Sequence, residues 1–191
     1  MRFASSRRRS ARRSSTRKGP VARAARFSLD RAYRYTLRRS WNRRLPACAF
    51  VLLNPSTADE RDDDPTVRRC VAFAAASGFG AAILVNLFAL RATDPRGLLA
   101  ARDPIGTRND AAIRSAARCA DAIVLSWGRS GAAHASRAEA VLELLAPYRR
   151  RLYVLGLTRS GEPRHPLYLR AGTRLRRASW VSTARHRRSS R

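Results

Sequence analysis

Apolar and polar positions alternate in two rhythms along this chain, and the switch between them outlines the fold. Tyr33, Tyr35 and Leu37 alternate with Arg34, Thr36 and Arg38. That period of two predicts a half-buried strand, with Trp41-Asn42-Arg43-Arg44 as its turn. From Ala47 to Leu53 every residue is apolar, the pattern of a strand buried on both faces. Thr66–Ser77 then carries Val67, Cys70, Val71 and Ala74 at helical spacing and stops before Gly78. The same alternation recurs downstream. Strands are predicted over Ala81–Leu87, Ala122–Ser126 and Arg151–Leu157, and helices over Asn109–Ala120 and Ser136–Leu145. Four buried strands joined by helical crossovers imply an α/β three-layer sandwich around a four-stranded parallel sheet. The expected strand order is 2-1-3-4, counted from Ala47–Leu53, because a doubly wound sheet reverses at its first strand and opens a crevice there. The Tyr33–Leu37 segment is an additional N-terminal strand or hairpin outside that group.

Composition sets the boundaries. With 191 residues and 45% apolar content, the chain fits one domain with a sizeable core, placed at residues 30–172. Forty lysines and arginines against thirteen acidic residues give a net charge of +27, and the excess is concentrated at the ends. Residues 1–29 hold ten basic side chains and no acidic one before Asp30, and residues 173–191 form a second basic stretch. Such segments bury no core, so both are read as disordered tails. For the first tail, attraction to nucleic acid through counterion release, a dispensable extension and a transit-peptide-like segment all stay open. No apolar run is long enough to span a bilayer, and no membrane association is expected. Cys48, Cys70 and Cys119 are widely spaced, which fits a reducing, cytoplasmic setting and no metal site, and no motif calls for a cofactor.

Chemistry is concentrated at the strand ends. Asn54-Pro55-Ser56-Thr57, Asn86-Leu87-Phe88, Trp127-Gly128 and Arg164-His165-Pro166 all follow predicted strands at carboxyl ends, so they can face one crevice. Asn54 and Asn86 each carry an amide donor and a carbonyl acceptor, the equipment for reading a heterocycle or orienting a water. His165 can stabilise an anion. Phe73 and Phe88 are either base-stacking platforms or core, and Arg91 supports the pocket. Asp59, Glu60, Asp62, Asp63 and Asp64 crowd five carboxylates into six positions. The plain reading makes Asp64 the N-cap of the following helix, before Pro65 at its first position. This acidic loop would repel phosphate unless a basic side chain or a metal intervenes.

The run Leu53–Asp59, together with Asp63–Thr66, Asn86–Phe88, Arg91–Pro95, Trp127-Gly128 and Arg164–Tyr168, resembles the DUF1643 family, a family of unknown function, over Tyr33 to Tyr168. A more distant similarity is to the uracil-DNA glycosylase superfamily. It rests on Asn54-Pro55 after the first strand, Asn86 after the second and His165-Pro166 after the last, with Phe73 at a stacking position. That resemblance implies a uracil-DNA-glycosylase-like fold and hydrolysis of an N-glycosidic bond in nucleic acid or nucleotide. Asn54 and His165 would then be catalytic, and Asn86, Phe73 and Phe88 would bind the base. Pro55, Ser56, Thr57, Asp64, Arg91, Trp127 and Arg164 would support the pocket. Two other readings stay open: a non-catalytic module binding a nucleotide, nucleic acid or partner in the same crevice, and metal-dependent phosphoester chemistry on Asp63 and Asp64.

Overall fold

A computed structural model describes residues 22–94, 97–129 and 134–179. The predicted tails lie outside these residues over 1–21 and 180–191. Seven strands form one sheet: β1 (Ala22–Phe27), β2 (Arg34–Ser40), β3 (Ala47–Leu52), β4 (Ala81–Asn86), β5 (Ala122–Leu125), β6 (Leu152–Val154) and β7 (Arg176–Arg177). Their order is β1-β2-β4-β3-β5-β6-β7. The helices are α1 (Pro65–Ala76), the four-residue α2 (Gly97–Ala100), α3 (Asn109–Cys119) and α4 (Ala135–Leu144).

The expected four-stranded, uracil-DNA-glycosylase-like parallel sheet is corrected to a mixed sheet of seven strands. β3 pairs in parallel with β4 and β5, and β5 with β6. The ladders β1–β2, β2–β4 and β6–β7 are antiparallel. The additions have a physical cause, since an uncovered edge strand of a hydrophobic sheet templates unwanted pairing, and β2 covers the outer edge of β4. β1 occupies the end of the segment expected to be disordered. It reads Ala-Arg-Ala-Ala-Arg-Phe, with no apolar periodicity to betray it, and is held by its ladder to β2.

Side-chain alternation sorts the core into two layers. Cys48, Phe50 and Leu52 of β3 pack with Ala82 and Leu84 of β4 and Val124 of β5 against Val67, Cys70, Phe73 and Ala74 of α1. Ala49, Val51 and Leu53 pack with Ile83, Val85 and Leu125 against Ile113, Ala116 and Ala117 of α3 and Val141 of α4. Helices therefore cover both faces, and the carboxyl ends of the parallel strands are left to the loops. No helix among the described residues is long and apolar enough to cross a membrane.

One irregularity matters for the site. Opposite β1, the register of β2 jumps from Thr36 to Arg34, leaving Tyr35 as an extra residue. Such bulges re-aim side chains. Here Arg34 is driven inward to 2% exposure, and its Nη1 donates to the carbonyl of Ala58, a residue of the α1-side core, at 2.7 Å.

Candidate functional site

The loop after β3 is fixed from three directions. The Nδ2 of Asn54 donates to the carbonyls of Ala92 at 2.7 Å and Pro55 at 3.1 Å, and the N–H of Ala92 donates back to Pro55 at 3.0 Å. Both partners are carbonyls, so the amide nitrogen must face them, and Oδ1 is the acceptor Asn54 has left. Arg91 Nε donates to the Ser56 carbonyl at 3.4 Å, while the Arg91 guanidinium sits 5.3 Å from the centre of the Phe27 ring. The buried Arg39 holds the next turn. Its Nη2 lies 2.7 Å from Asp63 Oδ1 and donates to the Asp59 carbonyl at 2.5 Å, and its Nε donates to Asp63 at 2.7 Å.

Those contacts resolve the puzzle of the acidic loop. Basic side chains do intervene: Arg39 and Arg23 pair with Asp63, and Arg31 pairs with Glu60. Asp59 Oδ1 accepts from the N–H groups of Arg61 and Asp62, which holds its carboxyl below the ordinary carboxylate range. Asp64 caps α1, accepting from Val67 N at 2.8 Å, as its place before Pro65 predicts. The carboxylates of Asp59, Glu60, Asp63 and Asp64 thus serve the loop's own structure. Among the described residues no three His, Cys, Asp or Glu side chains cluster as metal ligands would.

The far wall comes from the segment after β6. An isolated bridge between Leu157 and Pro163 closes a turn over residues 158–162, and Trp127 Nε1 donates to Glu162 Oε2 at 2.7 Å. The backbone N–H of Gly128 donates to Pro163 at 2.8 Å. This stitches the end of β5 to the His165 loop so closely that a Cβ on Gly128 would lie 3.0 Å from the Cβ of His165. Gly128 also has φ +80, which strains any other residue. Gly128→Ala should therefore lower stability by about 1–3 kcal/mol and displace His165. An unchanged melting temperature together with unchanged ligand affinity would contradict this.

His165 is held in one tautomer. Its Nδ1 accepts from Leu167 N at 3.3 Å, so the ring proton sits on Nε2, a donor. Burial lowers its pKa below the ordinary value of 6.5, opposed in part by the negative charge of Asp64. The imidazole is therefore neutral at neutral pH and donates a hydrogen bond without carrying a charge. Because the folded-state pKa is depressed, the stability linked to this group is intact above pH 6.5 and is lost as pH falls through the folded value. Urea midpoints should drop between pH 7.5 and 5.5, and drop less in His165→Gln. Equal drops in the two proteins would show that His165 does not titrate this way.

Between these walls lies a cleft with a cavity volume of about 710 Å³, within the range of small-molecule sites. Of the residues singled out from sequence, Asn54, Ser56, Trp127, Arg164 and His165 line it. The sequence also missed several. Thr66, Thr93, Arg129, Thr158, Arg159 and Tyr168 stand on the same walls, Tyr168 at 77% exposure. Arg129 sits one residue beyond the Trp127-Gly128 motif and Arg159 two residues beyond the predicted strand Arg151–Leu157, and that position was the available signal. The lining holds three arginines, one histidine and, among the described residues, no carboxylate.

Several expected members do not line the cleft. Phe73 is core at 3% exposure on the buried face of α1, with the Arg69 guanidinium 4.8 Å from its ring centre, and Arg69 in turn donates to the Leu169 carbonyl. Phe88 is core at 4% exposure, with His134 edge-on at 4.6 Å. Both stay hidden because their positions belong to the helix and sheet packing that supports the site. Pro55 is buried and acts through its carbonyl, Thr57 is exposed outside the lining, and Asp64 and Arg91 act behind the wall. Asn86 lies at the end of β4 with 1% exposure. Neither its Nδ2 nor its Oδ1 has a hydrogen-bond partner, and the Ser126 Oγ at the end of β5 is likewise unpartnered. By strand alternation both face the α1 side of the sheet.

A protein-family model described as "Protein of unknown function (DUF1643)" matches residues 34–167. Comparison with curated proteins and with solved structures returned no match.

Proposed function

The chain belongs to the DUF1643 family, a membership that assigns no activity, and from that premise we propose that its cleft binds a nucleobase-bearing ligand and hydrolyses its N-glycosidic bond. One observation carries the reading: Asn54 and His165, more than a hundred positions apart, meet in one cleft whose remaining charge is supplied by Arg129, Arg159 and Arg164. Guanidinium groups match phosphate in charge and in fork geometry. Cleaving a glycosidic bond needs a water aligned on the sugar carbon and a donor to the base as it departs with negative charge. The Asn54 Oδ1, held by its own amide's bonds to Ala92 and Pro55, suits the first task, and the Nε2–H of a neutral His165 suits the second. The resemblance of Asn54-Pro55 and His165-Pro166 to motifs of the uracil-DNA glycosylase superfamily suggests the same reaction class. Asn86, buried at 1% exposure and outside the lining, takes no part in this reading.

A second reading, binding without cleavage, is favoured by one feature. No described residue lining the cleft is a carboxylate that could take the proton of an attacking water. Incubating the protein with nucleotides and with single- and double-stranded oligonucleotides carrying modified bases separates the two. Release of free base is expected. Ligand affinity without release would select the binding module, and failure to bind any of them would remove both readings.

A further inference from the structure

A second cavity, of about 490 Å³, opens at the other end of the sheet, at the amino ends of β3 and β4. Its floor is made of short side chains, Ala22, Ala24, Ser40, Ala47 and Ala81, so a ligand can lie close against the strands. Its polar rim consists of Arg23, Arg38, Asn42 and Arg43, with no carboxylate among the described residues. Arg23 shares its charge with Asp63 at 3.4 Å, but among the described residues the side chains of Arg38 and Arg43 have no hydrogen-bond or ion-pair partner. The turn that carries Arg43 is rigid. The N–H groups of Trp41 and Asn42 both donate to Gly80, Gly80 N donates to Pro46, and Asn42 Oδ1 accepts from Arg44 N. Gly80 is held so tightly there that a Cβ would fall 1.9 Å from the Asn42 carbonyl oxygen. A preorganised concave surface of cationic donors over a small-residue floor is complementary to a row of phosphates.

We propose that this groove seats the sugar-phosphate backbone of a polynucleotide, as a second contact beyond the cleft. The proposal rests on the cleft reading for the choice of polynucleotide over other polyanions. β3 separates the two sites by its length, about 20 Å for six residues at about 3.3 Å each. A mononucleotide cannot reach both. About six nucleotides at about 3.4 Å per phosphate match only the straight line, which the buried β3 occupies, so a chain that passes round the domain to both sites is longer than that. The ligand class is therefore an oligonucleotide or longer nucleic acid.

The test compares two charge-reversed forms of the full chain with wild type: Arg38→Glu with Arg43→Glu, and, as an equal change of net charge outside both cavities, Arg114→Glu with Arg149→Glu. The probes are a fluorescent oligothymidylate of about 20 nucleotides, over a range of salt, and the common nucleoside 5′-monophosphates. The groove variant should bind the oligonucleotide roughly tenfold or more weakly at low salt. Its salt slope should fall by about 1.4, the value for two lost single-strand phosphate contacts. The control should keep its slope, and monophosphate binding should be unchanged in both. Equal losses in the two variants, no loss in the groove variant, or no oligonucleotide binding by wild type would overturn the proposal. Loss confined to the groove variant without monophosphate binding by any form would sustain the groove and remove the cleft reading.

Discussion

Arg39→Ala should be the most destabilising single substitution in the loops around the site, costing about 3–5 kcal/mol. Arg39 is fully buried, yet its guanidinium contacts the Asp63 carboxylate and the carbonyls of Arg38, Asp59 and Asp62. Truncation leaves Asp63 without its main partner and removes the guanidinium donors from the Asp59 and Asp62 carbonyls, of which Asp62 keeps the Asp59 N–H, and a cavity opens where the side chain lay. For a domain of this size each kcal/mol corresponds to about 2–4 °C, so the melting temperature should fall by roughly 10 °C. Asp63→Asn should cost less, because that side chain is 19% exposed and keeps hydrogen-bonding capacity toward Arg39. Chemical denaturation of the three proteins measures the ranking. An Arg39→Ala protein as stable as wild type would mean that the acidic loop closes without it.

Asn54→Ala should have the largest effect on chemistry. The residue's amide is spent on Pro55 and Ala92, and its oxygen is the acceptor that remains at the cleft wall. A group that aligns the attacking water acts mainly in the transition state, so kcat for base release should fall by about 100-fold or more while ligand affinity changes far less. Asn54→Asp restores the oxygen but places a carboxylate before two carbonyls, so it should not rescue the rate fully. Base release undiminished in Asn54→Ala would end the catalytic assignment, whereas parallel losses of affinity and rate would reduce Asn54 to a positioning role.

Much of the central architecture was legible because the physics is local. An unbroken apolar run such as Ala47–Leu53 has few solutions besides a buried strand, and Asp64-Pro65 before Val67 announces a helix start by capping chemistry alone. The outer strands were not legible for the same reason. β1 has no apolar stripe, since its residues are mostly exposed and pairing with β2 supplies its order. β7 spans two arginines whose strand character comes entirely from the neighbouring β6. Within the site, the sequence picked out residues at strand ends but not their side-chain directions. Asn54 and His165 converge, while Asn86 stands at its strand end yet turns into the interior. Arg34 was invisible as a functional support because it falls on the polar phase of the alternating strand, and Arg39, which shares the inward phase of Leu37, because a charge at the strand's end reads as solvated. The bulge at Tyr35 brings Arg34 inside, and the acidic loop supplies the partners that let Arg39 stay there.

The central claim is that one cleft holds Asn54 and His165 against a nucleobase with phosphate on its arginine rim. Nuclear magnetic resonance of the histidine side chains tests it most directly, since the chain has only three, His134, His165 and His186. Titration with nucleoside monophosphates should shift the His165 imidazole resonances at saturating ligand, with ribose 5-phosphate producing a much smaller change and His134 left in place. His165 resonances that no nucleotide or oligonucleotide moves would contradict the account.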